Sequence, residues 1–384
     1  MGIMNTLKRG ACVVQDHPGL VGWYLRNKLR VATLAFERDH MEGLSRFARG
    51  ITFRITSACN LRCKMCRFVE SGDVLTDPKL SLPLETWLAV VDDMAHFRPY
   101  ITMTGGEPLI YPEIGQIIKR VREHDMRCTV TTNGTLLAKR APSFMDNPPD
   151  VIIVSLDGPP EIHNEVRGQS RVFERAVEGI SAVKALRDER GQKDPLLVIN
   201  CSITSYNYQH VEQMIEIARD LGVDALNFQF QWSFTRKMVD DHNARFGDFH
   251  AISYEDLGGA DPPPVDIDEL VGIIRRIRAQ SEGSFESGMA ISFHPELNDE
   301  EVRLWYADPH NWIQRRPAAC AWINTELLPN GDVESCFGHV CGNVKEQKLS
   351  KIWNSYPYRE FRRRLSAAED FPICVRCCAY FRRD

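Results

Sequence analysis

Between residues 50 and 230 one pattern recurs: a short β-branched or apolar segment, then a longer segment with helical spacing. "GITFRIT" (50–56), "YITMTGG" (100–106), "RCTVTTNG" (127–134), "DVIIVSLDG" (150–158), "PLLVINCSIT" (195–204) and "VDALNFQF" (223–230) read as strands. "LPLETWLAVVDDMAHF" (82–97), "YPEIGQIIKRVREHD" (111–125), a stretch near 171–190 and "YQHVEQMIEIARDLG" (208–222) read as helices. Six such units imply an α/β fold with a parallel sheet and right-handed crossovers. The run 150–158 is almost continuously apolar, as in a strand buried on both faces. Chemistry in such sheets gathers where the strands end. Four segments fall on that rim: a cysteine loop, "TGGEP", "TTNG" and "SLDG".

The cysteine loop, "SACNLRCKMCRF" (57–68), spaces Cys59, Cys63 and Cys66 as C-x3-C-x2-C. Three thiols so close are too many for packing and too near one another for ordinary disulfides. Thiolate is the soft donor that iron–sulfur clusters select, and a four-iron cluster normally takes four. Three ligands leave one iron open, the feature that separates catalytic metal sites from closed structural ones. Structural zinc is the other reading. It calls for two separated ligand pairs, and no further His or Cys lies nearby.

The chain has 12 cysteines in 384 residues, so its compartment matters. "MGIMNTLKRGACVVQDHPG" holds no apolar run fit for a signal peptide, and no stretch reaches the roughly 18 apolar residues of a membrane span. A reducing, cytoplasmic setting follows, where clustered cysteines bind metal. The net charge is −5 and no basic block stands out, which argues against a nucleic-acid partner.

Residues 231–315 are less regular, with a Gly/Pro-rich linker at 257–266 and one clear helix at 267–280. In the tail, Cys320, Gly331 and Cys336 follow a C-x10-G-x4-C order, and "LPNGDVESC" reads as a hairpin about Asn330-Gly331. "CGNVKEQKLSKIWNS" (341–355) and "FPICVRCC" (371–378) complete it. Short of long periodic segments, the tail needs something other than a large core to hold it. A zinc ribbon made of two cysteine pairs is one such device.

The loop C-x3-C-x2-C after a first strand resembles the radical S-adenosylmethionine (SAM) enzymes, over residues ~50–384. The resemblance implies a partial (β/α)6 TIM-like barrel. It also implies a [4Fe–4S] cluster on Cys59, Cys63 and Cys66 whose open iron binds SAM. "GGEP" (Gly105, Gly106, Glu107, Pro108) resembles the segment that receives the methionyl ammonium, with Glu107 as acceptor. "SLDG" resembles the ribose-contacting position. There Ser155 and Asp157, two apart on a strand, face the same way. Thr132 and Asn133 of "TNG" shape the rim near SAM.

The tail is similar to the SPASM/twitch extension of that family, in its shorter, single-cluster form. An auxiliary [4Fe–4S] cluster is assigned to Cys320, Cys336, Cys374 and Cys377, with Cys341 and Cys378 as alternatives. A domain this small is then expected to depend on its metal for folding. The implied organisation is an N-terminal segment (1–49), a core barrel (50–235), a linker and helical region (236–315) and the auxiliary domain (316–384). A flavodoxin- or ferredoxin-type protein is the implied electron donor.

The implied reaction is removal of hydrogen from an unactivated carbon. Oxidation of a small molecule, maturation of a ribosomal peptide and modification of a membrane intermediate all remain open. Gln229, Gln231, Trp232, His242 and His250 are candidate substrate contacts. The basic amphipathic stretch 19–40 offers peripheral membrane contact or docking on its own domain.

Overall fold

The computed structural model describes residues 33–46, 48–70, 81–257, 264–281 and 289–381. Its strands are β1 (Gly50–Thr56), β2 (Tyr100–Gly105), β3 (Arg127–Thr132), β4 (Val151–Ser155), β5 (Leu196–Ile203), β6 (Ala225–Phe230), β7 (Ala290–His294), β8 (Asn324–Leu327), β9 (Asp332–Cys336) and β10 (His339–Asn343). They form one sheet, ordered β10-β9-β8-β1-β2-β3-β4-β5-β6-β7. Pairing is parallel from β8 through β7 and antiparallel in the β8-β9-β10 hairpins. With β7 and β10 at its two ends, the barrel is partial.

The connecting helices are α1 (Leu84–Met94), α2 (Ile114–Glu123), α3 (Pro160–Arg167), α4 (Val172–Glu189) and α5 (Met214–Leu221). α1 has the spacing that makes one apolar face: Trp87, Val90, Val91 and Met94 are buried against the sheet. The strands answer with alternation. Ile51, Phe53, Ile101, Met103, Ile152, Leu197, Ile199, Leu226 and Phe228 face the helices and are fully buried.

The opposite face is mostly polar and only half-buried, with Thr52, Arg54, Thr104, Thr131, Ser155, Asn200, Ser202, Asn227 and Gln229 beside the apolar Ile153 and Val198. Even 151–155 alternates, against the expectation of a strand buried on both sides. A closed barrel packs its interior with side chains. This one leaves a chamber, and polar residues line it. Side chains bond across neighbouring strands there: Asn227 donates to Asn200 (2.6 Å) and Ser292 to Asn227 (3.1 Å).

The loosely patterned region 231–315 holds more structure than its sequence suggests. It contains α6 (Arg236–Phe246), α7 (Ile267–Ser281), β7 and α8 (Asp299–Ala307). α8 starts with a full capping box between Asn298 and Glu301. Because β7 pairs with β6, the core sheet draws on residues beyond 235.

The tail does not stand apart either. β8 adds to β1 in parallel, and the turn before β9 places Gly331 at φ 98°, a conformation that favours glycine. Helix α9 (Tyr356–Ala368) buries Tyr358, Phe361, Arg362 and Leu365. Tyr358, Phe361 and Leu365 join Trp322, Leu327, Val333 and Trp353 in the same contiguous core as the barrel. The tail is therefore held largely by shared apolar packing, a support that its own short segments did not reveal. Arg362 adds a polar tie: it donates to the carbonyls of Ala321, Gly43 and Trp353 and to Asn354 Oδ1. Burial pushes its pKa down to about 10.

Of the stretch 19–40, residues 33–40 are helical and the rest lies outside the described residues. The helical part docks on its own chain. Glu37 is buried and accepts from Ser45 Oγ (3.0 Å) and Arg46 N (3.2 Å), and Ser366 Oγ donates to Arg38 O (3.3 Å). No described helix is long and apolar enough to cross a membrane.

Candidate active site

β1 delivers the chain to the rim, and residues 57–66 turn there before a short helix, Arg67–Glu70. Three bonds from main-chain N–H groups shape the loop: Ala58 N to the Thr56 side-chain Oγ1 (3.1 Å), Cys66 N to Cys63 O (3.1 Å) and Lys64 N to Val166 O (2.9 Å). Cys63 is buried while Cys59 and Cys66 are half-buried, and all three pack with Leu61 and Val172. They open together onto a cavity of 510 Å³. Burial pushes the Cys59 thiol up to about 11 and raises Cys63 as well. Such thiols keep their protons until a metal displaces them.

Gly105 and Gly106 line this cavity. A Cβ on Gly105 would collide with Thr56 O, and one on Gly106 with Ala58 O. Their first task is thus close approach to the cysteine loop, sealed by Gly106 N to Thr56 O and Glu107 N to Ala58 O, both 2.8 Å. Next in the chain is Glu107. Its carboxylate is buried behind the cavity wall and accepts from Leu109 N (3.0 Å), Thr132 Oγ1 (2.7 Å) and Asn133 N (2.8 Å). It braces the β2 and β3 loops against each other. Pro108 begins a short 3₁₀ turn behind it, while Thr132 and Asn133 reach the cavity.

"SLDG" also divides. β4 ends at Ser155, which lines the cavity, so Asp157 lies past the strand and does not share its direction. Asp157 is fully buried. It takes Arg167 Nε (2.7 Å) on one oxygen and Ser202 N (3.0 Å) on the other. Arg167, from the last turn of α3, lines the cavity and reaches Cys63 Sγ at 3.8 Å. The pairing with Asp157 holds its charge firmly, raising its pKa against the pull of burial. Sequence reading missed this residue. Its signal, an arginine shortly after a rim motif, gains meaning only from Cys63 and Asp157.

In the tail, Cys320, Cys336, Cys374 and Cys377 line one small cavity of 90 Å³. Cys374 and Cys377 close a single turn, Cys377 N to Cys374 O at 3.2 Å. Burial drives the Cys336 and Cys374 thiols well up. Cys341 sits elsewhere, with its sulfur 3.5 Å from His339 Nδ1. The Cys378 side chain lies outside the described residues.

The Radical SAM superfamily profile matches residues 53–199, and the SPASM profile, an iron–sulfur cluster-binding domain, matches 320–378. Each covers one of the two cysteine sets. The chain belongs to the radical SAM superfamily. It is an enzyme whose cofactors are a SAM-binding [4Fe–4S] cluster, SAM and an auxiliary [4Fe–4S] cluster. A tungsten-containing aldehyde ferredoxin oxidoreductase cofactor-modifying protein from Pyrococcus furiosus is 26% identical, over 84% of this chain and 85% of its own. An AdoMet-dependent heme synthase from Oleidesulfovibrio alaskensis is 28% identical, over 84% of this chain and 79% of its own. The solved structure of Streptococcus suis SuiB bound to precursor peptide SuiA shares the fold, with a TM-score of 0.58 and 13% identity. That match covers 88% of this chain and 71% of SuiB.

The donor sets of this radical SAM protein fit those groups. The rim supplies three sulfurs beside a cavity roomy enough for a cofactor, and the tail supplies four around a small one. Among the described residues, no group of three or more His, Cys, Asp or Glu side chains is arranged to hold a single metal ion.

A second chamber of 490 Å³ lies between the two sets. Arg67 and Leu257 line both it and the rim cavity, while Glu334 and Phe337 line both it and the tail cavity. Its walls include Arg54, 3.7 Å from Glu326, and Glu334, whose pKa burial pushes up to about 7. At the junction, Trp232 and Phe337 stack in parallel at 5.5 Å under the Arg67 guanidinium. Of the candidate substrate contacts, Gln231 and Trp232 line the rim cavity and Gln229 faces the barrel interior. His242 and His250 do neither. They are buried in tilted and edge-to-face contacts among Phe246, Phe249, Phe361 and Phe371, and bond main-chain carbonyls of His250 and Phe337.

Proposed function

We propose that this enzyme oxidises an unactivated carbon of a small-molecule substrate held in the 490 Å³ chamber. Cys59, Cys63 and Cys66 would hold the SAM-binding cluster, and Cys320, Cys336, Cys374 and Cys377 the auxiliary one. When bound, these groups supply a 5′-deoxyadenosyl radical that takes a hydrogen atom, and a nearby acceptor for the electron left behind. One observation carries the reading. The chamber shares wall residues with both cysteine cavities, so a substrate in it is within reach of each.

The chain's own part is placement and exclusion of water. Gly105, Gly106, Thr132, Asn133 and Ser155 would line the cofactor's bed. Arg167, a buried cation beside Cys63, would face its carboxylate. Glu107 would act through the two loops it braces. The flat Trp232–Phe337 wall suits an apolar or planar substrate body. A small molecule is further supported by the two long-matching relatives, named for cofactor modification and heme synthesis. A flavodoxin- or ferredoxin-type donor and a cytoplasmic setting complete the proposal.

The test is an anaerobic incubation of reconstituted enzyme with SAM, reductant and deuterated cell extract split by size. Deuterium entering 5′-deoxyadenosine from the low-mass fraction is the expected result. Label from the peptide fraction alone would move the assignment to peptide maturation, and absence of SAM cleavage would overturn the reading.

A further inference from the structure

We propose that Arg376 is a positioning residue for the auxiliary site, fixing the Cys374–Cys377 turn to the C-terminal end of α8. The proposal rests on the reading of Cys320, Cys336, Cys374 and Cys377 as the auxiliary ligands. Arg376 directly precedes Cys377 and is fully buried. Buried arginines usually meet a carboxylate, since an unpaired charge inside a protein is costly. Among the described residues, Arg376 instead donates to main-chain carbonyls: Nε to Trp305 (3.2 Å), one terminal nitrogen to Asn311 (2.8 Å) and Val375 (3.1 Å), the other to Leu304 (3.0 Å) and Asp308 (2.7 Å).

Those carbonyls explain why a cation is kept there. α8 ends at Ala307; Leu304 and Trp305 belong to its last turn, at the helix's negative pole, and Asp308 and Asn311 follow just beyond, with Leu304 O and Asp308 O also accepting from Asp308 N and Asn311 N. The planar guanidinium meets several of them at once and is thereby fixed in direction, which an aliphatic side chain filling the same space would not be.

The same helix end also reaches the other site. Trp305 Nε1 donates to Gln231 O at 3.1 Å, and Gln231 lines the rim cavity. One turn of α8 therefore bonds the edge of the SAM cavity through Trp305 and the auxiliary cysteine turn through Arg376. On the hairpin side, His250 Nε2 donates to Phe337 O at 2.7 Å, next to Cys336. The region 236–311, outside both matched profiles, thus holds the auxiliary cysteines in place relative to the chamber.

Full-length Arg376→Met and Arg376→Lys proteins would be reconstituted beside Arg140→Lys, which alters a half-buried arginine bonded to the carbonyls of Tyr111 and Pro112, away from the tail cysteines. Measurements are iron per chain, EPR of the reduced protein with and without SAM, and alkylation of Cys374 in the metal-free chain. Arg376→Met should fall from about 8 irons toward about 4. It should keep the SAM-responsive signal and alkylate at Cys374 at least ~10-fold faster, a step of ~1.4 kcal/mol in local opening. Arg376→Lys, with fewer donors, should fold and shift the auxiliary signal without touching the other. A folded variant of either kind with an unaltered auxiliary signal overturns the proposal. So does loss of both signals together in the Lys variant, matched by Arg140→Lys. Cys374→Ala serves as the separate control: if it keeps about 8 irons, the ligand assignment fails instead.

Discussion

Cys59, Cys63 and Cys66 share one loop and open onto a 510 Å³ cavity, whereas Cys320, Cys336, Cys374 and Cys377 come from separate segments and surround 90 Å³. The first set is shaped by main-chain bonds within and around its own loop, with a single buried ion pair, Arg167–Asp157, behind it. The second is assembled by distant parts of the chain: the β8-β9 hairpin, a terminal turn, and an arginine seated on α8. A local loop beside an open space can receive and exchange a cofactor. A set gathered from far apart and enclosed suits a group that stays.

That contrast can be broken outright at the cysteines. Cys63→Ala should abolish 5′-deoxyadenosine formation and leave about 4 of about 8 irons, read by chromatography and iron assay. Residual turnover at the wild-type rate would remove the rim loop from the chemistry. Cys374→Ala should likewise leave about 4 irons, yet keep slow SAM cleavage in the absence of substrate. If cleavage stops too, the two sets are not separable.

Arg167→Met tests the ion pair behind the rim set, because it strands the buried Asp157 carboxylate. The expected loss is about 3–5 kcal/mol in urea unfolding, since breaking a buried pair leaves an uncompensated charge. An unchanged midpoint would mean that Asp157 finds another cation.

A smaller effect should appear with pH near the tail. Burial pushes the His242 pKa down to about 4, whereas the unfolded chain titrates near the ordinary value of 6.5. The folded form thus binds fewer protons between those values. Its contribution to stability is complete above pH 6.5 and is lost as pH falls toward 4. By pH 5 the loss from this one group is about 2 kcal/mol, and His242→Phe should flatten the slope in urea titrations at pH 7.5 and 5. An equal slope in the variant would place the proton uptake elsewhere. Smallest of all should be Cys341→Ser, which should hold its iron at about 8, because Cys341 lies outside the tail cavity. Loss of iron there would redraw the ligand set.

The strand and helix order was legible because each β/α unit carries its own periodicity. The rim motif was legible because its three cysteines lie in one loop. What stayed hidden were partners far along the chain. Nothing near Glu107 in sequence reveals Thr132 and Asn133 as its donors. Asp157 looked like the twin of Ser155 until β4 ended between them. Arg167 had no local motif at all.

β7 is five residues long and its polar letters hid the register that joins it to β6. His242 and His250 are polar residues in an irregular stretch, so they read as substrate groups. Only the four phenylalanines around them, two of them more than a hundred residues away, reveal a packed core. The same holds for the tail's stability. Its segments look too short to fold because the core they use belongs to the barrel.

The parallel pairing of β8 with β1 has a practical consequence for anyone who would trim this protein. Cutting the chain before the tail would not release a simpler barrel. It would uncover one side of β1, exposing a row of main-chain donors and acceptors along a strand whose buried residues are Ile51, Phe53 and Ile55. Such an edge is a template for pairing with other chains. The shortened protein should aggregate through β1, and adding back the strand as a separate peptide should be the simplest way to keep it dispersed.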